Sequence, residues 1–232
     1  MKLTIIVPCF NEEKTIKTVI EKVLSLKVNK IQVIVVDDCS SDNSYEIINS
    51  IKNKNILILQ NQKNLGKGAA INTAKKYVDG DIVAIQDADL EYDPNDLMKL
   101  IEPIINLETQ VVYGSRVLGK KYFENIQNFS HWFRILGNIF LTKLSNLINN
   151  QNLTDAHTCY KVFNSKIFNK IILEEKNFNF CPEVTTKISK LKIKIIEKPV
   201  SYNGRKYSEG KKIKSIDGLK AIITLIKYRF FK

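Results

Sequence analysis

The 232-residue sequence has no Ser-, Gly- or Pro-rich stretch to serve as a linker, so it reads as one domain around one substantial core. No window approaches the roughly 18 consecutive apolar residues of a membrane-spanning helix. The opening "MKLTIIVPCFNEE" has too short an apolar run for a secretory leader, and Pro8 and two acids follow it closely. Cys9, Cys39, Cys159 and Cys181 are scattered and form no C-x-x-C pair, which removes the usual zinc site and disulfide framework. The expectation is a reduced, cytoplasmic chain, soluble or peripheral on the cytoplasmic membrane face. After the first apolar run stands "PCFNEE" instead of G-x-G-x-x-G, which argues against a dinucleotide-binding fold of the dehydrogenase kind.

What is present is a foldable balance, 44% hydrophobic and 26% charged residues, with a formal charge of +12. That charge is uneven. Residues 199–232 hold nine Lys or Arg against two acids. A polyanion partner follows: nucleic acid, a phosphorylated substrate or an anionic membrane surface. The basic stretches lack the interleaved aromatics of a nucleic-acid binder, so no nucleic-acid partner is expected.

Four apolar runs recur about every 25 residues: "LTIIVP" (3–8), "IQVIVVDD" (31–38), "ILIL" (56–59) and "DIVAIQ" (81–86). Helical stretches separate them. The first, with Asn11 as its expected cap, sets Ile16, Val19, Ile20, Val23 and Leu24 on one face; the second is capped by Ser41 or Asp42; the third opens at "LGKGAAINTAKKYV". This alternation predicts βαβ units and a mostly parallel sheet. Further on, the pattern predicts a helix over 131–149, a strand or turn near 155–163, a helix over 182–191 and a strand through 194–202. From Asp217 a stripe of Leu219, Ile222, Ile223, Ile226 and Phe230 is flanked by lysines and an arginine. That stripe either packs on the domain or lies in a membrane interface.

Carboxylates crowd two strand ends. Asp37-Asp38 closes the second run, and Asp87, Asp89, Glu91 and Asp93 follow the fourth within seven positions. Parallel sheets collect ligands at the carboxyl ends of their strands. Acids this close repel unless a cation lies between them, and a hard divalent ion with oxygen ligands is the usual candidate. The alternative is capping of a helix near Pro94, and for Asp37-Asp38 a turn. Asp79-Gly-Asp81 precedes its strand and reads as turn chemistry.

Together, "IVPCFNEEKTI", "VIVVDDCSSDNS", "NLGKGAAINTA", "QDADLEYDP" and "YGSR" arrive in the order and spacing of family 2 glycosyltransferases with the GT-A fold. The sequence most resembles the polyprenyl-phosphate sugar synthases among them, over residues 3–212. The resemblance implies an α/β GT-A fold over 1–214, with 215–232 a basic helix of the same unit. It implies an inverting, Mg²⁺- or Mn²⁺-assisted transfer from a nucleotide diphosphate sugar. By the same resemblance Pro8, Phe10 and Glu12 would line base and ribose, and Asp37, Asp38, Lys67, Asp87, Ala88 and Asp89 would hold the nucleotide sugar. Asp87, Asp89 and Glu91 would face the metal. Arg116 and Arg134 are candidate phosphate clamps, Arg134 having solvent as its alternative. "TDAHTCYKVF" resembles the segment that lines the sugar and acceptor side, with Asp155 as its polar group or else a turn residue. Lys161 meets phosphate or solvent, and lone His157 reads as structural. Glu183 is either a general base or a partner of its helix dipole. The basic loop "YNGRKYSEGKKI" (202–213) is of the kind that closes over phosphates, Arg205 foremost.

The leading expectation is transfer to a polyprenyl phosphate at the membrane face, because a phosphate is already a nucleophile at neutral pH. The alternative is a soluble enzyme that glycosylates a hydroxyl, with Glu183 or Asp155 as base.

Overall fold

The structure, a computed structural model, describes residues 1–119, 129–205 and 215–232. Most of the basic loop expected over 202–213 therefore lies outside the described residues. The four predicted runs form β1 (Lys2–Cys9), β2 (Lys30–Asp37), β3 (Ile56–Gln60) and β4 (Ile82–Ile85). Helices α1 (Ile16–Leu24), α2 (Ser44–Ser50) and α3 (Lys67–Lys75) alternate with them. All of β4 and all of β1 beyond Lys2 are buried, as expected of strands covered on both faces.

The caps differ from expectation. The cap position of α1 is Thr15 and that of α2 is Asn43, although the Asp42 side chain, as expected, accepts from the amide of Ser44 at the start of α2 at 3.0 Å. Asn11 instead takes a left-handed φ of 51° and ties the loop after β1 to the one after β2, accepting from the Ser41 amide at 2.8 Å. Its short amide tolerates that backbone, and the cross-loop bond supplies the reason to adopt it. Lys2 donates to Asp79 and Asp81 at the opposite edge, so the Asp-Gly-Asp segment is a turn, as its position before the strand predicts.

The later elements are α4 (Leu97–Ile105), β5 (Val111–Ser115), α5 (Phe129–Asn149), β6 (Lys161–Asn164), α6 (Ser165–Lys170), α7 (Phe180–Lys190), β7 (Ile195–Pro199) and α8 (Ser215–Ile226). The seven strands form one sheet in the order β3-β2-β1-β4-β6-β5-β7. Only β6 runs against the others, wedged between β4 and β5, with Phe163 opposite both Val83 and Val111. The sheet is mostly parallel with helices on its faces, the fold the resemblance implies.

Helix α8 continues through a wider π-helical turn, Lys227–Phe231, and packs on α5 and α7. Ala221, Leu225 and Tyr228 are its buried face. Most of the predicted stripe points elsewhere: Leu219, Ile223, Ile226 and Phe230 are exposed, and Ile222 is half-buried.

Candidate functional site

The carboxyl ends of β1, β2, β4 and β5 open on a cavity of about 590 Å³. Pro8, Phe10, Glu12 and Asp38 line it from the first two strand ends, and Asp87, Ala88, Asp89 and Glu91 from the loop after β4. Lys67, Arg116, Arg134 and Arg205 reach the same wall. On the α5 and α8 side the wall is mixed: Phe133, Gly137 and Leu141 of α5 and Gly218 and Ala221 of α8 alternate with Arg134, Asn138 and Asp217.

Asp87 does not cap the following helix. Lys67, the first residue of α3, sits 2.5 Å from its carboxylate, with the Cys159 sulfur 3.2 Å from the same Nζ. Burial opposes charge on both partners, yet their mutual attraction wins: the lysine pKa lies well above its ordinary value and the aspartate pKa below. The cap at Pro94 is Asp93, whose side chain accepts from the Asn95 amide. Asp87 and Asp89 are thereby left to the cavity.

Asp89 is the strained member of the cluster. Burial and the charges of Asp87 and Glu91 push its pKa up to about 7. Leu90, between the two acids, holds a left-handed φ of 59°, a conformation that costs a non-glycine residue about 1 kcal/mol or more.

The counter-charge is Arg205, brought from more than a hundred residues away. Its guanidinium donates to Glu12 at 2.8 and 3.1 Å and to Asp89 at 3.0 Å, and lies 3.7 Å from Glu91. Its backbone is pinned as well. Tyr92 bridges to Tyr202, the Tyr202 hydroxyl donates to Glu91 at 2.8 Å, and the Arg205 amide donates to the other Glu91 oxygen at 2.8 Å. Among the described residues no three His, Cys, Asp or Glu side chains converge at metal-ligating spacing. The donors are nonetheless hard oxygens with more negative charge than one guanidinium offsets, which is the chemistry of a Mg²⁺ or Mn²⁺ site.

Several expectations need correction. Asp37 is buried off the cavity and accepts from Ser40 and Gln60. Asp38 reaches the wall, but its oxygens already accept from the Asn61 side chain and from the amides of Leu65 and Gly66. It shapes the entry to α3. A Cβ at Gly66 or Gly68 would collide with Asn177 and Glu175, so the glycines of "NLGKGAA" serve a close backbone approach.

Asp155 is wholly buried and is no general base. Arg116 holds it with a two-pronged contact at 2.7 and 2.9 Å, and Asn138 adds a third bond. Burial would raise its pKa, but Arg116 lowers it on balance, and a depressed, enclosed carboxylate is poorly placed to collect a proton. The same contact holds the Nε and Nη2 of Arg116 against Asp155 at the cavity wall.

Glu183 is also wholly buried and absent from the wall. It accepts from the amides of Glu174 and Glu175 at 2.8 and 3.0 Å and from Lys187 at 2.7 Å. Its carboxylate fastens the segment before α7, and the dipole reading alone does not describe it. Lys161 meets neither phosphate nor solvent: it is buried over the Tyr113 ring and donates to the carbonyls of Ala156 and Thr158.

Sequence reasoning missed Cys159, read only as one of four scattered, reduced cysteines, and the tyrosine cluster of Tyr92, Tyr160 and Tyr202. It also missed Glu197 of β7, which accepts from the amides of Thr154 and Asp155 and fixes that turn. A buried reading of "TDAHTCYKVF" would have required a partner for each polar group, and that was the available signal.

The glycosyl transferase family 2 model matches residues 4–172. Over 98% of its length the chain is 29% identical to a UDP-N-acetylglucosamine–dolichyl-phosphate N-acetylglucosaminyltransferase of Methanococcus voltae, covering 96% of that protein. Over 99% of its length it is 27% identical to a dolichyl-phosphate β-glucosyltransferase of Trichomonas vaginalis, covering 73% of it. Its fold superposes, with a TM-score of 0.73 at 16% identity, on glucosyl-3-phosphoglycerate synthase of Mycobacterium tuberculosis in complex with Mn²⁺, UDP and phosphoglyceric acid. That superposition spans all of this chain and 79% of the other.

Proposed function

This chain belongs to glycosyl transferase family 2 and is a glycosyltransferase, and from that premise we propose that it transfers a hexose from a nucleotide diphosphate sugar to a polyprenyl phosphate. The observation that carries the reading is the two-sided cavity: acids and basic side chains at the strand ends, and on the α5 and α8 side the apolar Phe133, Leu141 and Ala221 beside Arg134, Asn138 and Asp217. A nucleotide sugar suits the first side and a phosphorylated prenyl chain the second. Relatives named for dolichyl phosphate, of which this chain covers 96% and 73%, support the same acceptor class.

In this reading an acceptor phosphate oxygen attacks the anomeric carbon as the bond to the nucleoside diphosphate breaks, with inversion. The acceptor phosphate is largely ionised at neutral pH and needs no strong base. This agrees with Asp155 and Glu183 both being spent on structure. Glu12, Asp89 and Arg205 bound the space for the donor, and Lys67 holds a positive charge beside it. Asp89 and Glu91, with Asp87 behind them, would hold a Mg²⁺ or Mn²⁺ ion. When bound, such an ion stabilises charge growing on the diphosphate leaving group. The acceptor is a lipid, so the protein would work peripherally at a membrane surface, and residues 215–232 would belong to the same working unit as the rest.

The test is a donor screen. Purified protein with Mn²⁺ is offered UDP-, GDP- and dTDP-sugars, and nucleotide release is followed with and without polyprenyl phosphate. One donor should give release that the lipid phosphate stimulates strongly. Equal release without it, or release stimulated only by hydroxyl acceptors, would overturn the acceptor.

A further inference from the structure

Helix α8 carries two apolar faces, and among the described residues one is buried and the other exposed. Leu219, Ile223, Ile226 and Phe230 recur at spacings of three and four, so they form one stripe, 40–67% exposed, opposite the buried Ala221, Leu225 and Tyr228. The neighbouring α5 does the same. Trp132, Phe133, Leu136 and Phe140 recur at the same spacings and are 40–66% exposed, while Ile135 and Thr142 are buried. The two helices pack side by side. Exposed apolar side chains this large, gathered on one pair of packed helices, are of the kind that marks a protein or membrane contact.

We propose that α5 and α8 together form a docking face for an anionic lipid bilayer, and that the face sets the α5 and α8 side of the cavity against the lipid. Charge selects the bilayer over a second copy of the chain. Lys143 and Lys220 are exposed on these same helices and Arg229 stands beside the α8 stripe, while Lys227 on its other side is held by Glu175 at 2.8 Å. An anionic surface attracts such residues at about 1 kcal/mol each, whereas a two-fold contact would set them against their own copies. The cavity points the same way. Phe133 belongs both to the exposed patch and to the cavity wall, and Leu141, Gly218 and Ala221 continue that wall along the seam between the helices. A second copy seated here would cover the seam, and a bilayer would feed it. The inference uses the proposed acceptor only to explain why lipid should lie on that side.

The chain's single tryptophan is Trp132, 45% exposed within the patch, so its emission reports contact directly. Full-length protein is titrated with vesicles of phosphatidylcholine alone and of phosphatidylcholine with phosphatidylglycerol, at low and high salt. Binding should be strong only to the anionic vesicles, shift Trp132 emission to the blue, and weaken as salt rises. Phe140→Ser with Ile223→Ser, both exposed and outside the cavity wall, should cut partitioning by about 10- to 100-fold while leaving the melting temperature unchanged. Turnover of a short-chain acceptor in detergent should survive in that double variant. Failure to bind anionic vesicles at low salt, or unaltered binding by the variant, overturns the docking face. So does a dimer in light scattering that the same substitutions dissociate, for then the face joins two copies. Vesicle binding without turnover of any polyprenyl phosphate keeps the face and overturns the acceptor.

Discussion

Glu183→Gln separates a fastening carboxylate from a catalytic base. One Glu183 oxygen accepts from the Glu174 amide and from Lys187, and the other from the Glu175 amide. Glutamine keeps one acceptor and presents an NH₂ where the second oxygen stood, facing the Glu175 N–H with donor against donor. It also takes the closer counter-charge from Lys187, leaving Glu174 at 3.5 Å. A lost charge-assisted bond and a buried donor without a partner each cost about 1.5–3 kcal/mol, and rearrangement and the surviving bonds return part of it. The expected loss is about 2–4 kcal/mol. At about 2–4 °C per kcal/mol for a domain of this size, the melting temperature should fall by roughly 5–15 °C. Calorimetry and denaturant titration read that directly. Turnover measured well below the transition should change less than about threefold, whereas loss of a general base costs about 10²–10⁴-fold. An unchanged melting temperature with a hundredfold drop in kcat would refute the argument and restore the hydroxyl-acceptor reading.

Asp89→Asn removes an oxygen charge from the acidic cluster. It should weaken Mn²⁺ binding to the donor-free protein by at least about tenfold, as even indirect partners of a metal do; unaltered Mn²⁺ titration would remove Asp89 from the ligand set. His157, whose Nε2 is enclosed, has its pKa lowered by burial and by Lys161 to about 4, so it folds neutral. Between its ordinary value near 6.5 and about 4 the unfolded chain holds the extra proton, and stability must fall as pH drops through that window. The loss is at most about 3 kcal/mol, less for screening of the partly exposed ring, and melting curves from pH 7 to 4 in wild type and His157→Gln should converge at the acid end. Asp155, depressed by Arg116, adds a further loss only below its ordinary value near 3.9. Gly137→Leu projects into open space, since an added Cβ there meets nothing within 4 Å. It should raise the acceptor KM by about tenfold or more with donor affinity unchanged, and an unaltered acceptor KM would show that the prenyl chain does not pass the α5 wall.

Strands β1 to β4 and helices α1 to α3 were legible because each is a local pattern: a run of β-branched residues, or a stripe repeating every three to four positions, states its own geometry. Position along those strands was enough to set Asp87 and Asp89 on the ligand edge and Asp79 and Asp81 on the other. The stripe of α8 was legible too, and so was its basic border. What the pattern did not carry was where that stripe points, because Ala221, Leu225 and Tyr228 form a second face that competes for the interior.

Tertiary structure alone decided the rest. The sequence determined that acids stand at strand ends, since that follows from neighbours in the chain; which acids keep their charge free for a ligand depends on groups far away. Arg116 meets Asp155 across 39 residues, and Arg205 meets Glu12 across 193. Asp155 and Glu183 looked as available as Asp89 because a carboxylate's exposure and pKa are properties of its surroundings, set by burial and by the charges that folding brings close. The insertion of β6 between β4 and β5 has the same cause, a pairing of Phe163 with Val83 and Val111 that no local signal announces. The chain therefore declares its fold through short-range pattern, and the allotment of its charged side chains to structure or to chemistry arises only when the sheet closes.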